Sequence, residues 1–123
     1  MAKILIVDDD TRVTSLFEKH LSSEGYETTS VNDSSKAVQM ALSTNPDLFI
    51  LDLMMPEPDG FKLCRLLRTY PNFTSTPILI VTALGDSDSK VVAYGAGANE
   101  YLSKPFHLDE LSNRVLDMLN KIE

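Results

Sequence analysis

Ile4-Leu5-Ile6-Val7-Asp8-Asp9-Asp10 sets four apolar residues directly against three carboxylates. The apolar run is too short for a typical helix and does not alternate with polar residues, so it reads as a strand buried on both faces. Two further runs share this form: Leu48 to Leu51, which ends at Asp52, and Ile78 to Val81, which ends at Thr82. Tyr26 to Val31 reads as a more polar, β-branched strand nearer an edge, and Glu100-Tyr101-Leu102 as a weaker fifth strand.

Helical spacing fills the intervals. Val13, Leu16, Phe17 and Leu21 form one apolar stripe behind Asp10, which reads as an N-cap. Ala37, Val38, Ala41 and Leu42 form a second, ended by Asn45-Pro46-Asp47; Phe61, Cys64 and Leu67 form a third. A fourth helix is predicted over Ser87 to Tyr94, closed by Gly95-Ala96-Gly97. The last stripe is Leu108, Leu111, Val115, Met118, Leu119 and Ile122. Strand and helix thus alternate five times, the pattern of a parallel sheet covered by helices on both faces and joined by right-handed crossovers. Repeats, low-complexity segments and linkers are absent, so residues 1–123 are expected to form a single domain.

Eighteen acidic residues against 11 basic ones give a net charge of −7. That balance disfavours direct nucleic-acid binding, which wants a basic stripe to neutralise phosphates, and disfavours an anionic membrane surface. A folded surface of about 6,600 Å², against about 20,000 Å² for the unfolded chain, leaves room for a core without disulfides or structural metal. Cys64 is the single cysteine. No signal peptide and no apolar stretch of bilayer-spanning length is read from the sequence, and a reducing, cytoplasmic setting is expected.

Asp8 and Asp9, Asp52, Thr82 and Lys104 all follow the carboxyl ends of predicted strands, where open α/β sheets build their sites. In a 2-1-3-4-5 strand order the first three would converge at the switch point, with Thr82 and Lys104 close by. Each residue also has an ordinary reading. Asp10 reads as a cap, and Asp52 alone reads equally as a hydrogen-bonded core carboxylate. Thr82 alone is an ordinary strand residue, and Lys104-Pro105 an ordinary loop. Together, five such residues at strand ends point to a site.

Four motifs in order make the chain resemble a response-regulator receiver domain, the phosphoacceptor module of two-component signalling. They are Leu5 to Asp10; Pro46-Asp47-Leu48 through Asp52-Leu53-Met54-Met55-Pro56 to Asp59-Gly60; Pro77 through Val81-Thr82-Ala83; and Gly97-Ala98 through Tyr101-Leu102 to Lys104-Pro105-Phe106. The resemblance spans Ile4 to about Leu119. It implies a doubly wound (βα)5, flavodoxin-like sandwich with a five-stranded parallel sheet in the order 2-1-3-4-5. Asp52 then resembles the phosphoacceptor, and Asp8 and Asp9 the acidic pair that holds Mg²⁺, with Mn²⁺ as a substitute and the Met54 backbone carbonyl as a further ligand. Thr82 and Lys104 resemble the groups that meet phosphoryl oxygens, and Tyr101 the aromatic switch. The Lys104-Pro105 bond is expected to be cis by the same resemblance, against about 5–6% for X-Pro bonds generally.

The chemistry suits these residue types. Asp52 supplies a carboxylate nucleophile, while three neighbouring carboxylates repel one another until a hard divalent cation neutralises them. Lys104 adds positive charge, and Thr82 a neutral donor. The resemblance implies a sensor histidine kinase or phosphotransfer protein as donor. The readout would run through helix 4, strand 5 and helix 5, carrying Lys90, Tyr94, Glu100, Tyr101 and Arg114, to an output domain, a downstream protein or a second copy in a homodimer. The module would catalyse only its own phosphorylation and dephosphorylation.

Some positions depart from the pattern. Glu57-Pro58 stands where many relatives have Gly-Met, His107 stands at the start of helix 5 in place of a Ser-type cap, and Leu116 replaces a frequent Arg. Met54 and Leu84, flanking the path of hydrolytic water in the family, are both apolar, which implies slow dephosphorylation. His20 is expected on the wet side of helix 1, and Cys64 in helix packing. Three other classes are less well matched. A Mg²⁺-dependent aspartyl phosphohydrolase would want an acid two residues past the nucleophile, where Met54 stands. A receiver-like module that is never phosphorylated usually loses an acid, the Thr or the Lys. A flavin binder would want a phosphate-cradling loop after strand 1, where Asp8 to Asp10 stand.

Overall fold

The computed structural model describes residues 1–121. Strands β1 (Lys3–Val7), β2 (Glu27–Val31), β3 (Leu48–Leu51), β4 (Ile78–Thr82) and β5 (Glu100–Ser103) alternate with helices α1 (Thr11–Ser23), α2 (Ala37–Thr44), α3 (Gly60–Arg68), α4 (Ser87–Gly95) and α5 (Leu108–Asn120). The sheet has the order β2-β1-β3-β4-β5, with every neighbouring pair parallel. Among the described residues no helix is long and apolar enough to cross a membrane.

The continuous apolar runs are explained by burial on two sides, since successive side chains of a strand point to opposite faces. Leu5, Val7, Phe49, Leu51, Ile78 and Ile80 face α2, α3 and α4, where Ala37, Ala41, Leu63, Cys64, Leu67 and Ala93 meet them. Ile4, Ile6, Leu48, Ile50, Leu79 and Val81 face α1 and α5, against Phe17, Leu21, Leu111, Val115 and Met118. Edge strand β2 is half-buried over Thr28, Thr29 and Ser30, in keeping with its polar sequence.

The ladder sets the level of the site. Val7 pairs with Leu51, so Asp8 and Asp52 leave adjacent strands at the same height. Carboxylate caps then start the helices: Asp10 accepts from Arg12 N, Asp59 from Lys62 N and Asp86 from Ser89 N, each at 2.9 Å. Asn45 ends α2 in the left-handed conformation (φ 50°), its N–H on the Ala41 carbonyl. At the start of α5 the Glu110 carboxylate reaches back to the His107 N–H at 3.4 Å.

Several expectations are corrected. Leu16 is 50% and Leu42 46% exposed, so neither belongs to the core. On α1 the row Val13, Phe17 and Leu21 faces inward, and the fourth inward place goes to Thr14, whose hydroxyl is hydrogen-bonded there. In α3 the buried set is Gly60, Leu63, Cys64 and Leu67, with Phe61 only half-buried. His20 is not on the wet side of its helix: its Nε2 lies 2.7 Å from Ser112 Oγ on α5 and 3.7 Å from Glu24. Ile122, expected in the last stripe, lies outside the described residues.

Candidate phosphoacceptor site

The last ladder bonds carry the acids into place. Asp8 N donates to Val31 O at 3.2 Å, and Asp52 N to Val7 O at 3.0 Å. Asp8 is 3% exposed and Asp52 7%, whereas Asp9 is exposed. One carboxylate oxygen from each of the three lies within 4.8 Å of the others. The expected convergence of Asp8, Asp9 and Asp52 is therefore present.

Each carboxylate is held by specific donors. Asp8 Oδ1 accepts from Asp10 N at 2.9 Å, and Asp8 Oδ2 from Lys104 Nζ at 3.1 Å. Asp52 Oδ1 accepts from Met54 N at 3.2 Å, and Asp52 Oδ2 from Lys104 Nζ at 3.4 Å. Lys104 is brought in by its own backbone, whose N–H donates to Thr82 O at 2.7 Å and ties the β5–α5 loop to the end of β4. Thr82 is fully buried, and its Oγ1 accepts a long bond from Leu84 N, at 3.4 Å. Among the described residues its own O–H has no acceptor, which leaves a donor at the site.

The electrostatics are those of an overcrowded acid pair. Burial pushes the Asp8 carboxyl above its ordinary value, and the Asp52 charge adds to this; the Asp10 N–H and Lys104 offset part of it. Burial opposes the Lys104 ammonium, but its hydrogen bond to Asp8 and the two facing charges outweigh that and raise its pKa. One ammonium serves two buried carboxylates, with Asp9 alongside. An all-oxygen cluster of three carboxyl groups at a strand-end rim fits a hard divalent cation that keeps several waters.

Tyr101 is buried, with its O–H donating to the Leu84 carbonyl. The ring is already turned inward, with Lys90 Nζ 5.7 Å from its centroid and Tyr94 6.5 Å away. On the surface beside it, Arg114 Nη1 bonds Glu100 Oε1 at 3.2 Å and Tyr101 O at 3.1 Å. Met54, Val91, Val92, Tyr94 and Leu116 are exposed. The Lys104-Pro105 bond is cis as expected; Glu57-Pro58 is also cis, which was not expected.

Two residues near the acids were not singled out in the sequence. Asn32 Nδ2 donates to Asp8 O and to Thr14 Oγ1, both at 2.9 Å. The single Ser34 O–H is shared between Pro56 O, 2.9 Å from Oγ, and Pro58 O, 2.7 Å from it. The available signal was their place: Asn32-Asp33-Ser34 follows β2 at the same sheet end as the acids.

Residues 4–116 match the response regulator receiver domain family. The chain is 37% identical over 123 residues to the DNA-binding dual master transcriptional regulator RpaA of Synechocystis, covering all of this chain and 51% of that protein. It is 40% identical over 119 residues to response regulator MprA of Mycobacterium leprae, covering 97% of this chain and 51% of that one. The chain thus spans about half the length of these curated relatives. Among solved structures it superposes on chemotaxis protein CheY4 of Vibrio cholerae with a TM-score of 0.92 at 30% identity, covering 96% of this chain and 98% of that one. The receiver domain of Francisella response regulator 1452 gives 0.91 at 32% identity, with both chains fully covered. With five parallel strands in the flavodoxin-like order, three acids gathered at their ends and residues 4–116 matching the family, this chain belongs to the response regulator receiver domain family.

Proposed function

We propose that Asp52 accepts a phosphoryl group from a phosphohistidine on a sensor histidine kinase or phosphotransfer protein. The observation that carries this is the Asp8-Asp9-Asp52 cluster with Lys104 bridging two of its members. An Asp52 carboxylate oxygen attacks phosphorus in line; the P–O bond forms as the P–N bond breaks, and its electron pair returns to the imidazole nitrogen. Asp8, Asp9, Asp52 and the Met54 carbonyl would hold Mg²⁺, or Mn²⁺ in its place. When bound, that cation neutralises the carboxylates and the equatorial phosphoryl charge. Lys104 Nζ, already shared between Asp8 and Asp52, turns to a phosphoryl oxygen, and the Thr82 O–H donates to another. No turnover of an external substrate is proposed, only the module's own phosphorylation and dephosphorylation.

The donor arrives as a protein. Beside Lys104 lies an apolar groove of about 290 Å³, lined by Val13, Leu16, Phe17, Pro105, Phe106 and Leu108, which offers a partner helix a place to rest. Phosphorylation biases an existing two-state equilibrium, because Thr82 and Lys104 contact the phosphoryl oxygens better than the bare carboxylate. The inward Tyr101 and the surface of α4, β5 and α5 carry the change outward. The receiver residues 1–123 act as one domain in the cytoplasm, without contacting nucleic acid or membrane directly. Output passes to a downstream protein, an attached domain or a second copy through α4-β5-α5. The printed descriptions of relatives such as RpaA favour a transcriptional output.

The phosphohydrolase reading lacks an acid at Met54, whose side chain is exposed. The unphosphorylated-module reading is disfavoured because the acids, Thr82 and Lys104 are all present at the site. Labelling with acetyl phosphate separates the phosphorylated module from the unphosphorylated one. The wild type is expected to incorporate phosphate in Mg²⁺ and not in EDTA, and Asp52→Asn not to incorporate it; equal labelling of the two proteins refutes Asp52 as acceptor.

A further inference from the structure

Residues proposed to hold the cation leave from two different loops, one after β1 and one after β3. The strand ladder aligns Asp8 with Asp52 but stops there. Beyond it, both loops are fastened to a third segment that contributes no group to the phosphoryl chemistry, the turn after β2. Asn32 is exposed as a residue yet turns its amide inward to the Asp8 carbonyl and Thr14 Oγ1. Two residues on, Ser34 is 5% exposed and puts its hydroxyl between the carbonyls of Pro56 and Pro58. Those prolines have no N–H of their own, so that stretch of the β3–α3 loop has little capacity to hold itself by backbone bonds. The turn is itself stiffened: Asp33 Oδ1 accepts from Ser35 N at 3.1 Å and from Ser35 Oγ at 2.6 Å, opening a 3₁₀ turn at Ser34–Lys36.

We propose that Asn32 and Ser34 are positioning residues: a bracket that sets the spacing of the Asp8-Asp9 loop against the Met54-Pro58 loop for a small octahedral cation. The inference rests on the reading of Asp8, Asp9 and Asp52 as a divalent-cation site. Groups that orient metal ligands without touching the metal typically change affinity by about 10–100-fold when removed. The bracket acts through backbone rather than through a ligating side chain, so the low end applies. It also predicts a selectivity change. Mg²⁺ demands near-ideal octahedral geometry, whereas Ca²⁺ accepts flexible, larger shells.

The test is calorimetric titration of the full chain with MgCl₂ and, separately, CaCl₂, for wild type, Ser34→Ala, Asn32→Ala and the control Ser43→Ala, an exposed α2 serine bonded only within its own helix. Ser34→Ala and Asn32→Ala are each expected to weaken Mg²⁺ about tenfold. Ca²⁺ affinity is expected to fall less, so the Mg²⁺/Ca²⁺ ratio drops, and Ser43→Ala is expected to leave both affinities unchanged. If one bracket variant does not fold by circular dichroism, the other decides. Unchanged Mg²⁺ affinity, or an equal loss for both cations, overturns the bracket and leaves Asn32 and Ser34 as ordinary loop anchors. Failure of the wild type to bind Mg²⁺ at all overturns the cation-site reading beneath it, and the bracket with it.

Discussion

Gly60 opens α3 where that helix crosses the end of β3. A Cβ built there would lie 2.1 Å from the Asp52 carbonyl oxygen, 2.5 Å from Leu53 Cα and 2.8 Å from Asp52 C. All three are backbone atoms, and Gly60 N also donates to Leu53 O at 3.1 Å. The methyl group of Gly60→Ala would sit roughly 1 Å or more inside contact distance, with no flexible side chain to move aside. Overpacking typically costs about 1–3 kcal/mol, and the rigid neighbours put this case at the top of the range. Alanine regains at most about 1 kcal/mol of helix propensity, so the net loss is about 2–3 kcal/mol. For a cooperative domain of this length, each kcal/mol moves the melting temperature by about 4 °C, so a fall of roughly 8–12 °C is expected. Gly95→Ala is the matched control: it is exposed, at the end of α4, with nothing within 4 Å of the added carbon. There alanine is expected to be neutral or to stabilise by up to about 1 kcal/mol. The assay is thermal and urea unfolding of both variants. A Gly60→Ala protein as stable as wild type would refute the close approach of α3 to the Asp52 backbone.

Other expectations concern the site and its supports. Mg²⁺ should stabilise the wild type by about 2.7 kcal/mol at a hundred times its dissociation constant and should have much less effect on Asp9→Asn; equal melting shifts in both would contradict the cation assignment. Arg68→Met should cost about 2–4 kcal/mol in urea unfolding, because the guanidinium donates to the carbonyls of Phe73, Thr76 and Gly97 and to Asn99 Oδ1, and burial already holds its pKa down. A loss below half a kcal/mol, on the order of a surface substitution, would show that these bonds are dispensable. With apolar residues at Met54 and Leu84, the phosphorylated protein should lose its label slowly in Mg²⁺; decay within seconds would sink that reading.

Much of the fold was legible because its strands are buried on both faces. Runs such as Leu48 to Leu51 have no other economical reading, and the carboxylates that end them mark the rim where the site lies. Asp10 as cap and Asn45 as stop were equally local. What stayed hidden depends on partners distant in sequence. Leu16 fits the spacing of α1 as well as Thr14 fits the structure, and the decision is made by Asn32, which supplies Thr14 with a donor. His20 finds Ser112 on α5. Arg68 drew no reading in the sequence, yet the α4–β5 turn, with Gly97 at φ 113°, brings the Gly97 carbonyl to its guanidinium. Residue identities at the site were readable, but the bonds that orient them were not, because backbone carbonyls leave no mark in a sequence.

The central claim is that Asp52, rather than Asp8 or Asp9 beside it, becomes the aspartyl phosphate. Borohydride reduction of the labelled protein converts an aspartyl phosphate to homoserine, and peptide mass spectrometry then locates it. Homoserine at position 52 is expected. Homoserine at position 8 or 9, or incorporated phosphate that yields none, would contradict the account.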